Sequence, residues 1–154
     1  MKKTISIFLT CLLLCFSVAM PVNAAEAEAT SNLTSYVELA RASSYFSKIT
    51  PKLNSLTGTT ASANLSSGTC LGTTQNITSV TVYCRVSSGS SPFTLKVKSP
   101  SGTIQTKNCG TSSTTYTFTG FNGEDPDGTW TIYISTKGAV STVTSTLKTY
   151  YNYQ

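Results

Sequence analysis

Between Phe121 and Ile134 the sequence reads Phe-Asn-Gly-Glu-Asp-Pro-Asp-Gly-Thr-Trp-Thr-Ile-Tyr-Ile, and this stretch leaves little freedom in what the chain can become. Trp130, Ile132 and Ile134 alternate with Thr131, Tyr133 and Ser135, the period of a strand with one buried and one solvated face. The turn in front of it is chemically consistent. Pro126 fixes φ, Asp127 tolerates turn geometry, and Gly123 and Gly128 permit positive φ. Glu124, Asp125 and Asp127 are the only acids after Glu38, so the turn also concentrates the negative charge.

The same two-residue period recurs through the C-terminal two thirds. Val80, Val82, Cys84 and Val86 are in phase, as are Phe93, Leu95 and Val97, and later Leu147, Thr149, Tyr151 and Tyr153. Ser99-Pro-Ser-Gly102 reads as a hairpin turn, with Gly102 a structural glycine beside Gly123 and Gly128. Residues 103–107, 116–118 and 140–144 complete a set of roughly seven short strands at turn spacings of about 8–12 residues. The fold class predicted is all-β, an antiparallel jelly-roll-like β-sandwich over 58–154. Within it, 58–68 is small and polar, a linker or a weak edge strand.

Residues 26–57 differ in character. Ser35 and Glu38 are spaced as a capping box, and Leu39, Ala42, Phe46 and Ile49 recur at intervals of three and four. This pattern predicts a short amphipathic N-terminal helix ending near Pro51, in a pro- or spacer segment. Before it, Lys2 and Lys3 precede an apolar run from Ile5 to Met20 and small residues up to Ala25. That order predicts a cleaved signal peptide over 1–25, hence a secreted protein that does not span a membrane. Removing the leader takes two of the 11 cations and leaves nine against six acids, a net of +3. Without a basic stripe, this balance does not support a nucleic-acid partner, and none is expected.

The chain has no histidine. A Ser-His-Asp triad, a Cys-His dyad and the common zinc sites are therefore excluded, and a non-catalytic role is expected. Glu124, Asp125 and Asp127 are candidate calcium ligands, since clustered carboxylates suit a hard cation. The alternative is that Asp125 and Asp127 cap the turn while Glu124 accepts hydrogen bonds from its own loop. Trp130, in phase with two isoleucines, belongs to the core. Tyr150, Tyr151 and Tyr153 form a candidate binding platform for glycan or protein. Three cysteines follow the leader. Cys84 is in phase with core valines, so a Cys70–Cys109 disulfide is expected, with Cys70–Cys84 next.

Three segments appear in a suggestive order: Leu95-Lys-Val-Lys-Ser-Pro-Ser-Gly-Thr103, the 121–134 stretch, and Gly138 with Thr146-Leu-Lys-Thr-Tyr-Tyr151. Together they resemble the P domain (P/Homo B domain) that follows the catalytic domain in proprotein convertases and bacterial subtilisin-like peptidases. The resemblance covers roughly residues 70–153. It implies a sandwich that stabilises or positions a peptidase, with calcium in some members. The family's His and Asp ahead of the hairpin are missing from Ser87–Leu95. The expected function is thus a secreted module that binds or stabilises a peptidase or other extracellular protein. A module binding carbohydrate or cell wall, or a small secreted toxin, are the alternatives.

Overall fold

The computed structural model describes residues 41–154. The expected signal peptide, and the Ser35–Glu38 capping box, lie outside the described residues. Nine strands follow in order: β1 (Ala42–Ile49), β2 (Leu53–Leu56), β3 (Thr60–Ser66), β4 (Gln75–Val86), β5 (Phe93–Lys98), β6 (Ile104–Cys109), β7 (Thr114–Phe118), β8 (Thr129–Thr136) and β9 (Val140–Tyr153). No helix long and apolar enough to cross a membrane occurs among the described residues. The strands form two antiparallel sheets. One runs β1-β9-β4-β7 with β2 also paired to β9, and the other runs β3-β8-β5-β6.

The helix expected to reach Ile49 is not helix from Ala42 onward. Residues 42–49 pair with β9 from Ala42↔Tyr153 to Ile49↔Thr146, and Leu53–Leu56 continues along the same strand. Segment 42–56 is thus part of the sandwich rather than a spacer before it. The physical reason is competition. A short helix is marginal alone, whereas β9 offers a full ladder and a core face. Once extended, Phe46 and Ile49 cannot share a side. Phe46 turns inward against Trp130, with ring centroids 6.4 Å apart, and Ile49 is left exposed. Residues 60–66 settle as edge strand β3, paired with β8 from Thr60↔Ser135 to Ser66↔Thr129.

The two sheets close on one apolar core. Val80, Val82, Cys84, Phe118, Val143 and Leu147 come from the first; Phe93, Leu95, Val97, Trp130, Ile132 and Ile134 come from the second. Ile77 is out of phase with Val80 in the sequence and yet buried. A register shift between Ile77 and Ser79 in the β4–β9 pairing inserts the extra residue that turns it inward. The bulged segment also anchors the acidic turn, through Gly123 N–H to the Ile77 carbonyl at 2.8 Å and Ile77 N–H to the Glu124 carbonyl at 2.9 Å.

Inward positions of β9 are polar as often as apolar. Ser141 donates to the Ser91 carbonyl at 2.5 Å, and Ser145 Oγ lies 3.7 Å from Cys84 Sγ. Thr149 is fully buried and its Oγ1 has no hydrogen-bond partner among the described residues. A buried hydroxyl without a hydrogen bond costs about 1–3 kcal/mol of desolvation. Thr149→Val keeps the branched shape and removes that cost, so urea denaturation should show a gain of roughly 1 kcal/mol. A loss of stability would mean that the hydroxyl is solvated after all.

Candidate functional site

Two regions carry the residues singled out by the sequence: the acidic turn and the outer face of the sheet containing β9. In the turn, each carboxylate is spent on the protein itself. Asp125 Oδ1 accepts from Asp127 N–H at 2.9 Å. Asp127 Oδ1 accepts from Cys70 N–H at 2.9 Å and from Ser67 Oγ at 3.2 Å. Glu124 accepts from Ser101 Oγ in the β5–β6 hairpin. The Trp130 indole N–H reaches back to the Pro126 carbonyl at 3.0 Å, and Phe121 stands edge-on to the indole at 5.4 Å.

The turn is therefore a clasp. It ties the segment before β4, the Ser99–Gly102 hairpin and the start of β8 to one another. Gly128 shows why glycine is needed: its φ is +122°, and a Cβ there would come within 2.9 Å of Pro100. The three carboxylates point to three different partners. Among the described residues no group of three metal-ligating side chains stands close enough to hold an ion. Melting temperatures in calcium and in chelator test the calcium expectation at Glu124, Asp125 and Asp127. A rise of several degrees with calcium would show that the turn can reorganise around a cation.

The clasp carries a pH signature. Burial raises the pKa of Glu124 and of Asp127, but hydrogen bonds outweigh it and hold both below the ordinary carboxylate range. For Glu124 these come from Ser101, Ser99 and Thr103, and for Asp127 from Cys70 and Ser67. A depressed folded-state pKa adds stability that is present above the unfolded value, near pH 4 for these groups, and lost as pH falls through the folded value. Asp127→Asn should lower stability at pH 7 by about 1 kcal/mol, the scale of a partly exposed charge-assisted contact. It should also flatten the fall in stability between about pH 4 and pH 2. A variant that keeps the wild-type acid transition would remove Asp127 from that account.

Cys70 and Cys109, the pair expected from the sequence, lie in different surroundings. All three are buried thiols. Cys70 lies with Asp127, Ser67 and Tyr151; burial first, then the Asp127 hydrogen bond and charge, pushes its pKa up to about 11. Cys109 instead shares the intersheet core with Cys84. Loop-like flanks alone do not place two cysteines in the same surroundings.

The tyrosine platform divides across its sheet. Tyr151 is inward and nearly fully buried, its hydroxyl accepting from Leu71 N–H at 3.1 Å. Tyr153 packs on Tyr151 at 6.1 Å and is half-buried. Only Tyr150 faces outward, as strand alternation requires. There it meets two residues the sequence reading passed over. Tyr45 lies opposite it on β1, ring centroids 5.8 Å apart. Lys148 Nζ sits 4.0 Å from the Tyr45 ring centroid and 4.7 Å from that of Tyr150. The hydrogen bond to the Tyr150 hydroxyl, stronger than the opposing desolvation, raises the Lys148 pKa, so the group is a firm cation at neutral pH.

Cross-strand rows extend this face. One row runs Ser47, Lys148, Thr81 and Thr117; the next runs Ile49, Thr146, Tyr83 and Thr115. Arg85 stands opposite Thr144 one row further. The result is an array of hydroxyls with the exposed rings of Tyr45 and Tyr83 and two cations. All Lys and Arg except Lys2 and Lys3 fall in the described residues, whereas the only acids there are the three of the clasp. The period of Ser43, Tyr45 and Ser47 was the signal that could have placed Tyr45 outward.

No protein-family profile and no curated protein matches the sequence. Among solved structures, the chain is similar to FLHE at 16% identity and a TM-score of 0.52, covering 75% of this chain and 99% of that one. It is also similar to a protein of Bacillus endospore appendages, described as a family of disulfide-linked pili, at 18% identity and a TM-score of 0.47, covering 75% and 92%. The likeness to FLHE is one of fold.

Proposed function

We propose that this chain is a secreted, non-catalytic binding module that holds an extracellular glycan on the outer face of the β1-β9-β4-β7 sheet. The observation that carries the reading is the Tyr45–Lys148–Tyr150 cluster set among threonine hydroxyls on a sheet face that, among the described residues, bears no carboxylate. Aromatic rings offer apolar faces to the C–H side of a sugar ring, and hydroxyl and ammonium groups meet its oxygens. Lys148 and Arg85 favour a glycan that carries anionic groups, by charge complementarity. The absence of histidine and the use of all three carboxylates in the clasp fit binding rather than turnover.

A second reading keeps the peptidase-associated role that the P-domain resemblance implies. It is favoured by the docking of the two resembling segments, Ser101 onto Glu124 and Pro100 onto Gly128, as one structural unit. One experiment separates the two. The mature protein is immobilised and challenged with purified cell-wall polysaccharide and with the producer's culture fluid. Retention of polysaccharide, lost at high salt, supports the glycan face. Retention of a peptidase, competed by soluble module, with no polysaccharide bound, would transfer the function to the clasp end.

A further inference from the structure

The odd cysteine count acquires a different meaning once the sheets are in place. Cys84 lies on β4, in the first sheet, and Cys109 at the end of β6, in the second. Both are buried in the same core cluster, one contributed by each sheet, and each thiol is the leading influence on the other's titration. Ser145 Oγ lies 3.7 Å from the Cys84 sulfur, and Cys109 donates to the Lys107 carbonyl at 3.6 Å. Cys70 is held elsewhere, by Asp127 and Tyr151. Among the described residues β6 is an edge strand with only β5 beside it.

We propose that Cys84 and Cys109 are the site of an intersheet disulfide that staples edge strand β6 to β4, with Cys70 remaining a thiol. Thiols that enter one core from two facing sheets reach the bonding distance of about 2.05 Å chiefly through side-chain torsion. The bond would close the chain from residue 84 to residue 109 around β5 and β6, a loop long enough for the cross-link to restrict the unfolded chain strongly. The step balances with a disulfide oxidant, R–S–S–R. The Cys109 thiolate attacks one oxidant sulfur and expels R–S⁻, giving a mixed disulfide. The Cys84 sulfur then attacks Cys109 Sγ, expelling the second R–S⁻. The two thiol protons end on the two R–SH products, and the two electrons reduce the oxidant.

The electrostatics assign the roles in that order. The hydrogen bond to Cys109, and then burial, raise the Cys84 pKa. The same hydrogen bond lowers that of Cys109 against its burial, helped by the Tyr116 hydroxyl and the Leu95 amide. Cys109 is therefore the first nucleophile. It also lines a surface depression of about 290 Å³ with Phe93, Thr94, Asn108 and Lys137, through which a small disulfide can approach.

The test uses full-length mature protein incubated with glutathione disulfide, alkylated without reduction, digested and mapped by mass spectrometry. The expected result is one Cys84–Cys109 linked peptide and alkylated Cys70. Reduction should lower the melting temperature by roughly 10 °C, and Cys70→Ser should keep both the bond and the shift. A linked peptide containing Cys70 would overturn the assignment. So would alkylation of all three thiols after oxidation, or a stable glutathione adduct on Cys109 that Cys84 never resolves. Cys84→Ser gives the complementary arm: Cys109 should then stop at the glutathione adduct, and melting should no longer respond to reductant.

Discussion

Replacing Trp130 with alanine is expected to remove about 3–5 kcal/mol of stability, the range for deleting a large buried aromatic. Against the 5–15 kcal/mol typical of a whole domain, that loss leaves the sandwich marginal or unfolded at 37 °C. Three features make the site sensitive. The indole is fully buried at the centre of the core. It packs edge-on against Phe121 and tilted against Phe46, so it joins the acidic clasp to β1. Its N–H satisfies the Pro126 carbonyl, which alanine would leave without that donor. Trp130→Phe should recover most of the packing and lose about 1–2 kcal/mol for the hydrogen bond and residual void. Guanidinium denaturation monitored by far-ultraviolet circular dichroism measures both. If alanine cost less than about 1 kcal/mol, the clasp and the core would have to be energetically separate.

The second large effect concerns recognition. Tyr45→Ala with Tyr150→Ala should weaken binding to an anionic wall polysaccharide at least about thirtyfold, roughly 2 kcal/mol, as expected for removing two stacking rings at a contact face. Lys148→Gln should cost less in affinity at high salt than at low salt, since its contribution is chiefly a screened charge. Tyr151→Phe serves as the contrast. It sits in the same tyrosine run but points inward, so it should leave binding unchanged and affect stability alone. Isothermal titration or retention on an affinity gel reads the three together. If Tyr151→Phe abolished binding while the double variant bound normally, the outer face would not be the ligand site.

Strand content was legible because alternation is a local property. Trp130–Ile134, Val80–Val86 and Phe93–Val97 each carry their two-face pattern within a few residues, and each became a strand. The Ser99–Gly102 turn was legible for the same reason, since its proline and glycine constrain the backbone on the spot. Ala42–Ile49 was misread because its residues satisfy a helical period as well as a strand one, and β9 decided between them. Ile77 stayed hidden because a bulge is set by the partner strand and the turn it must meet, through the Gly123 and Glu124 backbone contacts.

The candidate site was less legible than the fold. Alternation implies that Tyr150 and Tyr151 cannot share a face, but which of them meets solvent depends on where the opposite sheet lies. The pairing of Tyr45 with Tyr150 spans more than a hundred residues of chain and exists only through the β1–β9 register. The same holds for the cysteines, where loop-like flanks suggest Cys70 and Cys109 while the packing of the two sheets sets Cys84 and Cys109 in one core. The sequence by itself determined that the C-terminal two thirds is an antiparallel β structure with Trp130 in its core and an acidic, glycine-bounded turn, because periodicity and turn chemistry act between near neighbours. Only the tertiary structure decided the fate of residues 42–56, the partners of the three carboxylates and the composition of the outer face. Those depend on contacts between residues far apart in the chain, and such contacts are set by how the sheets pair and pack.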